Sequence, residues 1–378
     1  MTRLKNVIER FRCRIESAAR EAASAPLFSI ETVLLVLSVL YGGAMGLRAR
    51  LYEKGLLSSK TLPCRVVSIG NLIAGGTGKT PMTILIAQII RDLGYRVVVI
   101  SRGYHGRMEE TGGVVSDGET ILKGPEDAGD EPYLMARLLK GIPVVVGRRR
   151  YEIGMMAVNR FNPDAIVLDD AFQHIRLNRD LNLVLLDSRS PFGNGRLLPR
   201  GLLREPVSAL HRAHAVILTR GDKAVRPSTL DALAVDRPVF YTAHVPLIRN
   251  NNPVNNSFLT ETLDISNLKG KKAVAFAGLA DNGQFFDSLK AVGCILLHHF
   301  SFSDHYRYGR QDFDRIAETA KKKGADVLVT THKDFVKIED GYRRWPVALT
   351  VVDVSIRLLG DPSPFLYLLS NALDTPDS

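Results

Sequence analysis

The amino-acid sequence predicts an α/β fold in three parts: an N-terminal membrane-associated helix, a domain with a mostly parallel sheet, and a smaller C-terminal α/β domain. Three observations support this prediction. Short apolar runs alternate with longer amphipathic segments, the alternation breaks between Pro238 and Lys269, and an apolar segment precedes the first strand. The length of 378 residues also exceeds what one hydrophobic core usually serves.

The apolar segment Leu27 to Leu47 contains one charge, Glu31, and is followed at once by Arg48, Arg50 and Lys54. A membrane-spanning helix needs about 20 apolar residues, so this segment is long enough either to span a bilayer or to lie in its interface. The basic residues behind it are typical of a cytoplasmic face. A buried core helix is the alternative interpretation. Residues 1–54 are therefore predicted to form a membrane-associating helical segment.

The first α/β domain is predicted over residues 55–237. The strand CRVVSIGNL, a glycine-rich turn, the helix PMTILIAQIIRDLG and the strand RVVVIS form a βαβ unit. Further strands are predicted at IPVVVG, DAIVLDD, LNLVLLD and HAVILT. Residues 238–269 are read as a connector, and residues 270–378 repeat the alternation of strands and helices in a smaller domain.

Charge and cysteine content limit the classes of partner. The formal net charge of +10 favours an anionic partner, which leaves nucleic acid, nucleotide, anionic lipid and a membrane surface open. Cys13, Cys64 and Cys294 are odd in number and far apart, so they predict neither a disulfide framework nor a metal site. A reducing, cytosolic compartment is consistent with this cysteine usage.

A glycine-rich loop between the first predicted strand and helix carries the strongest chemical signal. Small residues allow backbone N–H groups to surround phosphates, Lys79 supplies a cation to the β and γ oxygens, and Thr80 can hold Mg²⁺. Ile73 stands where the usual pattern has glycine, so the loop is a variant P-loop. A simple glycine turn would leave the lysine and threonine unexplained. The predicted nucleotide-binding residues are Gly75, Gly76, Thr77, Gly78, Lys79 and Thr80.

Two acidic residues, Asp169 and Asp170, end the apolar run DAIVLDD. A carboxylate at the end of a parallel strand beside a P-loop is where a Mg²⁺ ligand is expected, and the predicted metal residues are these two together with Thr80. Two solvated acidic residues at a strand end are the alternative. Gln173 and His174 follow closely enough to face the same cleft.

A polar loop contains Gly129, Asp130, Glu131 and Pro132 ahead of a predicted helix. An aspartate at such a position is usually an N-cap. A kinase also needs a group that takes the proton from the attacking hydroxyl, and Asp130 is a candidate for that base.

A histidine-rich run in the second domain contains His298, His299, Asp304 and His305. Its spacing does not match a zinc site, so structural histidines are the default interpretation. A histidine on a mobile second domain can nevertheless pair with a catalytic aspartate on closure, orienting it and raising its basicity.

A glycine- and proline-rich loop, PFGNGRLLPRGLLREP, carries Arg196, Arg200 and Arg204. Arginine's fork suits the phosphates of ATP or of an anionic substrate. A solvated basic surface is the alternative.

Together these motifs closely resemble the tetraacyldisaccharide 4′-kinase family, and the resemblance extends in order from the N-terminal helix to residue 334. The sequences that carry it are SIGNLIAGGTGKTP, SRGY, GDEP, LDDAFQH, NGRLLPRGLLREP, FSDHYRY and TTHKD. The resemblance implies a P-loop NTPase domain and a smaller α/β domain joined by a two-stranded linker. It also implies transfer of the γ-phosphoryl group of ATP, with Mg²⁺, to the 4′-hydroxyl of a tetraacylated glucosamine disaccharide 1-phosphate, giving lipid IVA at the cytoplasmic face of the bacterial inner membrane. No nucleic-acid partner is implied.

The same resemblance assigns roles to individual residues. Lys79 acts in catalysis as well as in phosphate binding, Asp130 is the catalytic base, and His305 pairs with it. Arg204 and Glu205 lie in the family's REP motif near the nucleotide and substrate, with Gln173 and His174 as further candidates for contact with substrate or phosphate. The family usually has glycine where this chain has Ala171, a change that is tolerated unless the position requires positive φ.

Two alternatives of other classes remain at this point. A P-loop switch or partitioning ATPase typically carries a lysine before its GGTGKT loop, where this chain has Ala74. A membrane-bound nucleotide-binding scaffold would bind ATP without lipid-dependent turnover.

Overall fold

The computed structural model describes residues 29–221, 237–249, 262–279, 282–304, 306–338 and 345–374. The chain forms two compact units. Unit 1 comprises residues 1–79, 168–243 and 358–378, and unit 2 comprises residues 80–167 and 244–357. The predicted domain boundaries near residues 54, 237 and 269 stay predictions, and part of the predicted connector, residues 250–261, lies outside the described residues.

The helices that the structure describes are α1 Ile30–Glu53, α2 Lys79–Asp92, α3 Met108–Thr111, α4 Pro125–Ala128, α5 Asp130–Leu138, α6 Arg150–Phe161, α7 Asn282–Ala291, α8 Arg310–Lys323, α9 His332–Phe335 and α10 Ser363–Asp374, with 3₁₀ turns at Val207–Arg212 and Ile265–Leu268. The strands are β1 Arg65–Asn71, β2 Val97–Ser101, β3 Gly113–Ser116, β4 Val144–Val146, β5 Ala165–Leu168, β6 Leu181–Asp187, β7 Ala215–Thr219, β8 Val239–Arg249, β9 Thr262–Asp264, β10 Lys272–Ala277, β11 Ile295–Ser301, β12 Val327–Thr331 and β13 Ala348–Leu359.

Unit 1 has a parallel sheet at its centre. Strand β6 lies between β1 and β7, and β7 pairs in parallel with the first half of β8. Apolar side chains from β6 and β7 pack with Phe172 and Leu203 in a fully buried cluster. Because the strands are parallel, the chain leaves β1, β6 and β7 at the same edge of the sheet, which is where ligands bind in open α/β sheets.

Unit 2 contains two groups of strands. In the first, β2 lies between β5 and β4, and β3 closes the edge in the antiparallel sense. In the second, β10 pairs in parallel with β11 and β12, and β12 with β13. The second half of β8 pairs antiparallel with β9. The strands and helices predicted within the described residues are confirmed, and residues 1–28 of the predicted N-terminal helical segment lie outside them. The sequence reading missed β3, because four residues at an edge are too few to show a period.

Helix α1 carries most of its apolar side chains on the surface. Only 11% of its most apolar stretch is buried, so the interpretation as a buried core helix is wrong. Among the described residues it is the helix whose length and composition would allow it to cross a membrane. Its exposed apolar side chains are Val33, Val36, Leu37, Val39, Leu40 and Leu47.

A buried carboxylate stabilises the C-terminal part of unit 2. Asp353 in β13 accepts a hydrogen bond from Nε of Arg249 in β8 at 2.5 Å, and its Oδ2 lies 3.3 Å from Nδ1 of His332. Burial by itself would raise the pKa of Asp353. The hydrogen bond and charge of His332, together with Arg249, outweigh this and lower the pKa to about 2.

We expect Asp353 to make unfolding acid-dependent. A carboxyl group whose pKa is lower in the folded than in the unfolded protein stabilises the fold. This stabilisation is complete above the pKa in the unfolded protein, near 3.9, and is lost as the pH falls towards 2. For Asp353 it amounts to about 2 kcal/mol. Asp353→Asn should therefore unfold more easily than wild type at pH 7 and lose less stability between about pH 4 and 2. Urea unfolding across this range, with exposed Asp287→Asn as control, checks this. An unchanged acid-dependent loss in Asp353→Asn would contradict it.

Candidate active site

The glycine-rich loop connects β1 to α2, as predicted. Gly75 and Gly78 have φ of +132° and +85°, a backbone conformation that favours glycine. The side-chain amide of Asn71, at the end of β1, donates to the carbonyl of Ile73 at 2.6 Å and to the hydroxyl of Thr77 at 2.9 Å. Asn71 is completely buried, so it holds the loop from inside. The sequence reading did not single it out.

Lys79 and Arg204 both approach the carboxylate of Asp170. Nζ of Lys79 lies 3.8 Å from Oδ1 of Asp170, and Nη1 of Arg204 lies 2.9 Å from each carboxylate oxygen. Three predicted residues, separated by up to 125 positions in sequence, thus meet at one point. The side chain of Asp170 remains 31% exposed, so one carboxylate with two cations around it is open to solvent and to a ligand.

The turn after β5 explains how Asp170 reaches this position. Asp170 has φ of +47°, in the left-handed region, while Asp169 before it is buried. The backbone N–H of Ala171 then donates to the carbonyl of Ile69 in β1 at 3.1 Å. Since Ala171 is not among the residues with positive φ, an alanine in place of glycine is tolerated there, as expected.

Gln173 connects this turn to the phosphate loop. Its side-chain amide donates to the backbone carbonyl of Asn71 at 2.8 Å. His174 continues the same turn through its backbone N–H, which donates to Ala171 at 2.9 Å. Both side chains are half-buried.

Glu205 lies behind the turn and is 3% exposed. Its carboxylate forms an ion pair with Arg212, whose guanidinium stacks over the ring of Phe172. Burial raises the pKa of Glu205, and the neighbouring Arg212 acts in the opposite direction. Arg179 donates to the carbonyl of Phe172 at 3.0 Å, and burial lowers its pKa to about 10. These residues support the turn from within the protein.

Arg196 and Arg200, which lie with Arg204 in the glycine- and proline-rich loop, differ in their burial. Arg200 is 2% exposed, so the alternative of a solvated basic surface is wrong for it. Arg196 is half-buried and its backbone N–H donates to Asn194 at 3.1 Å. Arg204, the third arginine of this loop, contacts Asp170.

Arg220 was missed by the sequence reading. It directly follows β7, has φ of +60°, and donates to the carbonyl of Gly76 in the phosphate loop at 3.0 Å. Its other nitrogen lies 2.6 Å from Asp187, at the end of β6. The available signal was its position, because β7 and β6 end at the same edge of the sheet as β1.

Asp130 is the first residue of α5, in unit 2. Gly129 occupies the N-cap position, so the N-cap interpretation of Asp130 is wrong. Nζ of Lys337 lies 3.6 Å from Oδ2 of Asp130 and 3.5 Å from Oδ1 of Asp334. Asp334 is completely buried and also accepts from the hydroxyl of Thr331 at 2.6 Å. Lys337 therefore joins the GDEP and TTHKD sequences.

Lys333 makes a second connection between these sequences. Its Nζ lies 3.9 Å from Glu131 and 3.0 Å from Asp304. His305, the predicted partner of Asp130, lies outside the described residues. His298 lies on β11, where burial lowers its pKa, and the ring of neighbouring His299 packs against Phe286. Among the described residues, no group of three or more His, Cys, Asp and Glu could hold a metal by itself.

We expect Lys337→Met to lower kcat by about tenfold, because it removes the charge between Asp130 and Asp334 while keeping much of the side chain's volume. Steady-state kinetics and ATP titration check this, with affinity for ATP expected to be unchanged. Lys322→Met, which alters an exposed lysine on α8, is the control. An unaltered kcat in Lys337→Met would show that this lysine does not support Asp130.

A loop of this construction, with a lysine and an open carboxylate beside it, holds the phosphates of a nucleoside triphosphate, and the protein is a P-loop phosphotransferase. The family model of the tetraacyldisaccharide-1-P 4′-kinases, named LpxK, matches residues 30–374. A tetraacyldisaccharide 4′-kinase of Desulfatibacillum aliphaticivorans is 44% identical, over 86% of this chain and 89% of that protein. One of Geobacter metallireducens is 42% identical, over 90% and 97%.

A solved structure agrees with these relatives. The crystal structure of LpxK from Aquifex aeolicus in complex with ATP superimposes with a TM-score of 0.74 at 32% identity, covering 91% of this chain and all of that one. The chain belongs to the tetraacyldisaccharide-1-P 4′-kinase family, whose members phosphorylate the 4′-hydroxyl of the tetraacyldisaccharide 1-phosphate in lipid A biosynthesis. It is therefore an ATP-dependent lipid kinase, and the switch-ATPase and scaffold interpretations are wrong.

Proposed function

We propose that this kinase works at the cytoplasmic face of the inner membrane, uses Mg²⁺ with ATP, and takes the proton of the 4′-hydroxyl with Asp130. The observation that carries the proposal is the contact of Lys79 and Arg204 with Asp170 beside the phosphate loop. In the reaction, the 4′-oxygen forms a bond to the γ-phosphorus, the bond from that phosphorus to the β–γ bridging oxygen breaks, and ADP leaves. The hydroxyl proton passes to the carboxylate of Asp130.

Mg²⁺ suits the residues that would hold it. Mg²⁺ is usually bound by one or two carboxylates together with waters and substrate phosphates, and Asp169 and Asp170 supply two carboxylates at the end of β5. Thr80, directly after Lys79, is the third proposed ligand. When bound there, Mg²⁺ would neutralise charge on the phosphates, and Lys79 supports the γ-phosphoryl group in the same way. Asp170 would exchange part of its contact with the two cations for the metal.

The proposed base, Asp130, has the ammonium group of Lys337 3.6 Å from its carboxylate. The pairing of Asp130 with His305 remains part of the proposal, with the histidine orienting the carboxylate. Gln173 and His174 are the proposed substrate contacts. Arg204 and Glu205 are proposed to act mainly by stabilising the turn after β5, because Arg204 donates to Asp170 and Glu205 is buried.

The membrane location is supported by the exposed apolar side chains of α1. An acylated disaccharide stays at the bilayer surface, so an enzyme that acts on it gains from being held there. The formal net charge of +10 favours the anionic cytoplasmic surface and the 1-phosphate of the substrate.

The test is transfer of label from γ-labelled ATP to tetraacyldisaccharide 1-phosphate in detergent micelles, with and without a metal chelator. We expect label at the 4′ position that disappears when the chelator is added and returns with excess Mg²⁺. Labelled lipid that persists in the chelator would overturn the metal assignment. A separate sedimentation with vesicles of the bacterial lipids tests attachment, and protein that stays in solution would overturn the proposed location.

A further inference from the structure

Helix α1 contacts the loops of the candidate active site as well as exposing an apolar surface. The hydroxyl of Ser38 donates to the carbonyl of Leu197 at 2.8 Å and accepts from the N–H of Arg200 at 2.9 Å. A Cβ added at Gly42 would lie 2.5 Å from the side chain of Leu197, so the helix and this loop approach closely. These contacts lie on the side of the helix opposite to most of its exposed apolar residues.

Tyr41 contacts Arg204, the residue whose guanidinium binds Asp170 at the proposed metal site. Its hydroxyl donates to the backbone carbonyl of Arg204 at 2.8 Å. The N–H of Arg204 donates to Leu72 at 2.7 Å, and its guanidinium holds Asp170. Tyr41 thus fixes the backbone from which the Asp170 contact is made.

Arg48 contacts the turn that follows β5. Its two terminal nitrogens donate to the backbone carbonyl of Gln173 at 3.4 and 3.3 Å. The side chain of Gln173 donates to the carbonyl of Asn71, and the side chain of Asn71 holds Thr77 in the phosphate loop. A continuous series of hydrogen bonds therefore connects helix α1 to the phosphate loop.

We propose that Tyr41 and Arg48 are positioning residues for phosphoryl transfer, so that the helix that holds the enzyme on the membrane also shapes its metal site and phosphate loop. This inference rests on the proposed roles of Asp170 and the phosphate loop. Catalysis of this kind depends on placement and charge, so a small displacement of Asp170 or of the loop lowers the rate of transfer. Binding of the helix to lipid does not require the polar contacts of Tyr41 and Arg48. Loss of these contacts should therefore change phosphoryl transfer without changing attachment to the membrane.

The first test is Tyr41→Phe, which removes one hydroxyl and keeps the ring. We expect kcat to fall about fivefold, the effect of one lost hydrogen bond, with KM for the lipid and binding to vesicles unchanged. Tyr52→Phe is the matched control, because that hydroxyl on the same helix accepts a hydrogen bond from Nε of Arg176 at 3.2 Å, and its loss should leave kcat within about twofold. An unchanged kcat in Tyr41→Phe, or an equal loss in both variants, would overturn the proposal.

The second test is Arg48→Ala, with Arg48→Lys as rescue and exposed Arg50→Ala as a control for the lost charge. We expect about a tenfold fall in kcat for Arg48→Ala, largely restored by lysine, with unchanged attachment to vesicles. Asp170→Asn in the same assay separates the two proposals. If Asp170→Asn is active, the proposed function of Asp170 fails. If it is inactive while Tyr41→Phe and Arg48→Ala keep wild-type kcat, only the inference about the helix fails.

Discussion

Replacing Asp130 with asparagine should lower kcat by about 10²- to 10⁴-fold and leave ATP affinity almost unchanged. Asparagine keeps the shape of the side chain and can still accept a hydrogen bond from Lys337, but it cannot take the proton of the 4′-hydroxyl. The variant should therefore fold and bind nucleotide normally, so the loss appears in the chemical step. Single-turnover transfer of label to the lipid, together with ATP titration, measures the two effects separately.

The matched control is Asp127→Asn, in the preceding short helix α4, where the carboxylate lies 3.6 Å from Arg107. We expect that variant to keep kcat within about twofold, because the ion pair is at the surface. If Asp130→Asn retains turnover near the wild-type rate, the base lies elsewhere. A comparable loss in Asp127→Asn would instead indicate a general disturbance of the segment.

Replacing Lys79 with alanine should abolish measurable transfer, a fall of about 10³-fold or more. Lys79 is 13% exposed and lies beside Asp170, so its ammonium group is already positioned before nucleotide binds. Its removal takes away the cation that is proposed to stabilise charge on the transferred phosphoryl group, while the contact of Arg204 with the carboxylate of Asp170 remains. Lys79→Arg should not restore activity, because a planar fork cannot occupy the place of a compact ammonium group.

Label transfer and thermal unfolding together check this prediction, with Lys123→Ala as the control. Lys123 is an exposed lysine in a loop of unit 2, and its removal should leave transfer unchanged. A folded Lys79→Ala protein that transfers label within about tenfold of wild type would contradict the assigned role of the phosphate loop.

Parts of the site were predictable because their signals are local. A glycine-rich run between an apolar strand and a helix indicates a phosphate loop, and the apolar run that ends in Asp169 and Asp170 predicts two carboxylates at the edge of the sheet beside that loop, without knowledge of any other residue. The spacing of apolar residues likewise predicted the strands that form both units. Asp130 was predicted as the base from the requirement of a kinase for a base and from a family resemblance, since its own sequence context is more typical of an N-cap.

Other parts were not predictable because they depend on contacts between distant segments. Asn71 and Arg220 resemble ordinary strand-end residues in the sequence, yet one supports the phosphate loop from inside and the other binds its backbone. Lys337 lies more than two hundred positions from Asp130, and no local pattern relates the two. Glu205 was a candidate for contact with substrate or phosphate, and its burial against Arg212 could not be read from the sequence.

The sequence by itself determined the class of fold, the phosphate loop, the paired aspartates and an apolar N-terminal segment, because each follows from residue types at short, regular spacing. The tertiary structure alone decided which cations reach Asp170, that Lys337 joins Asp130 to Asp334, and that α1 contacts the turn after β5 while exposing its apolar side chains. Those features arise because parallel strands bring separate chain segments to one edge of a sheet. Side chains from these segments are then buried together, and each buried polar group needs a hydrogen-bond partner.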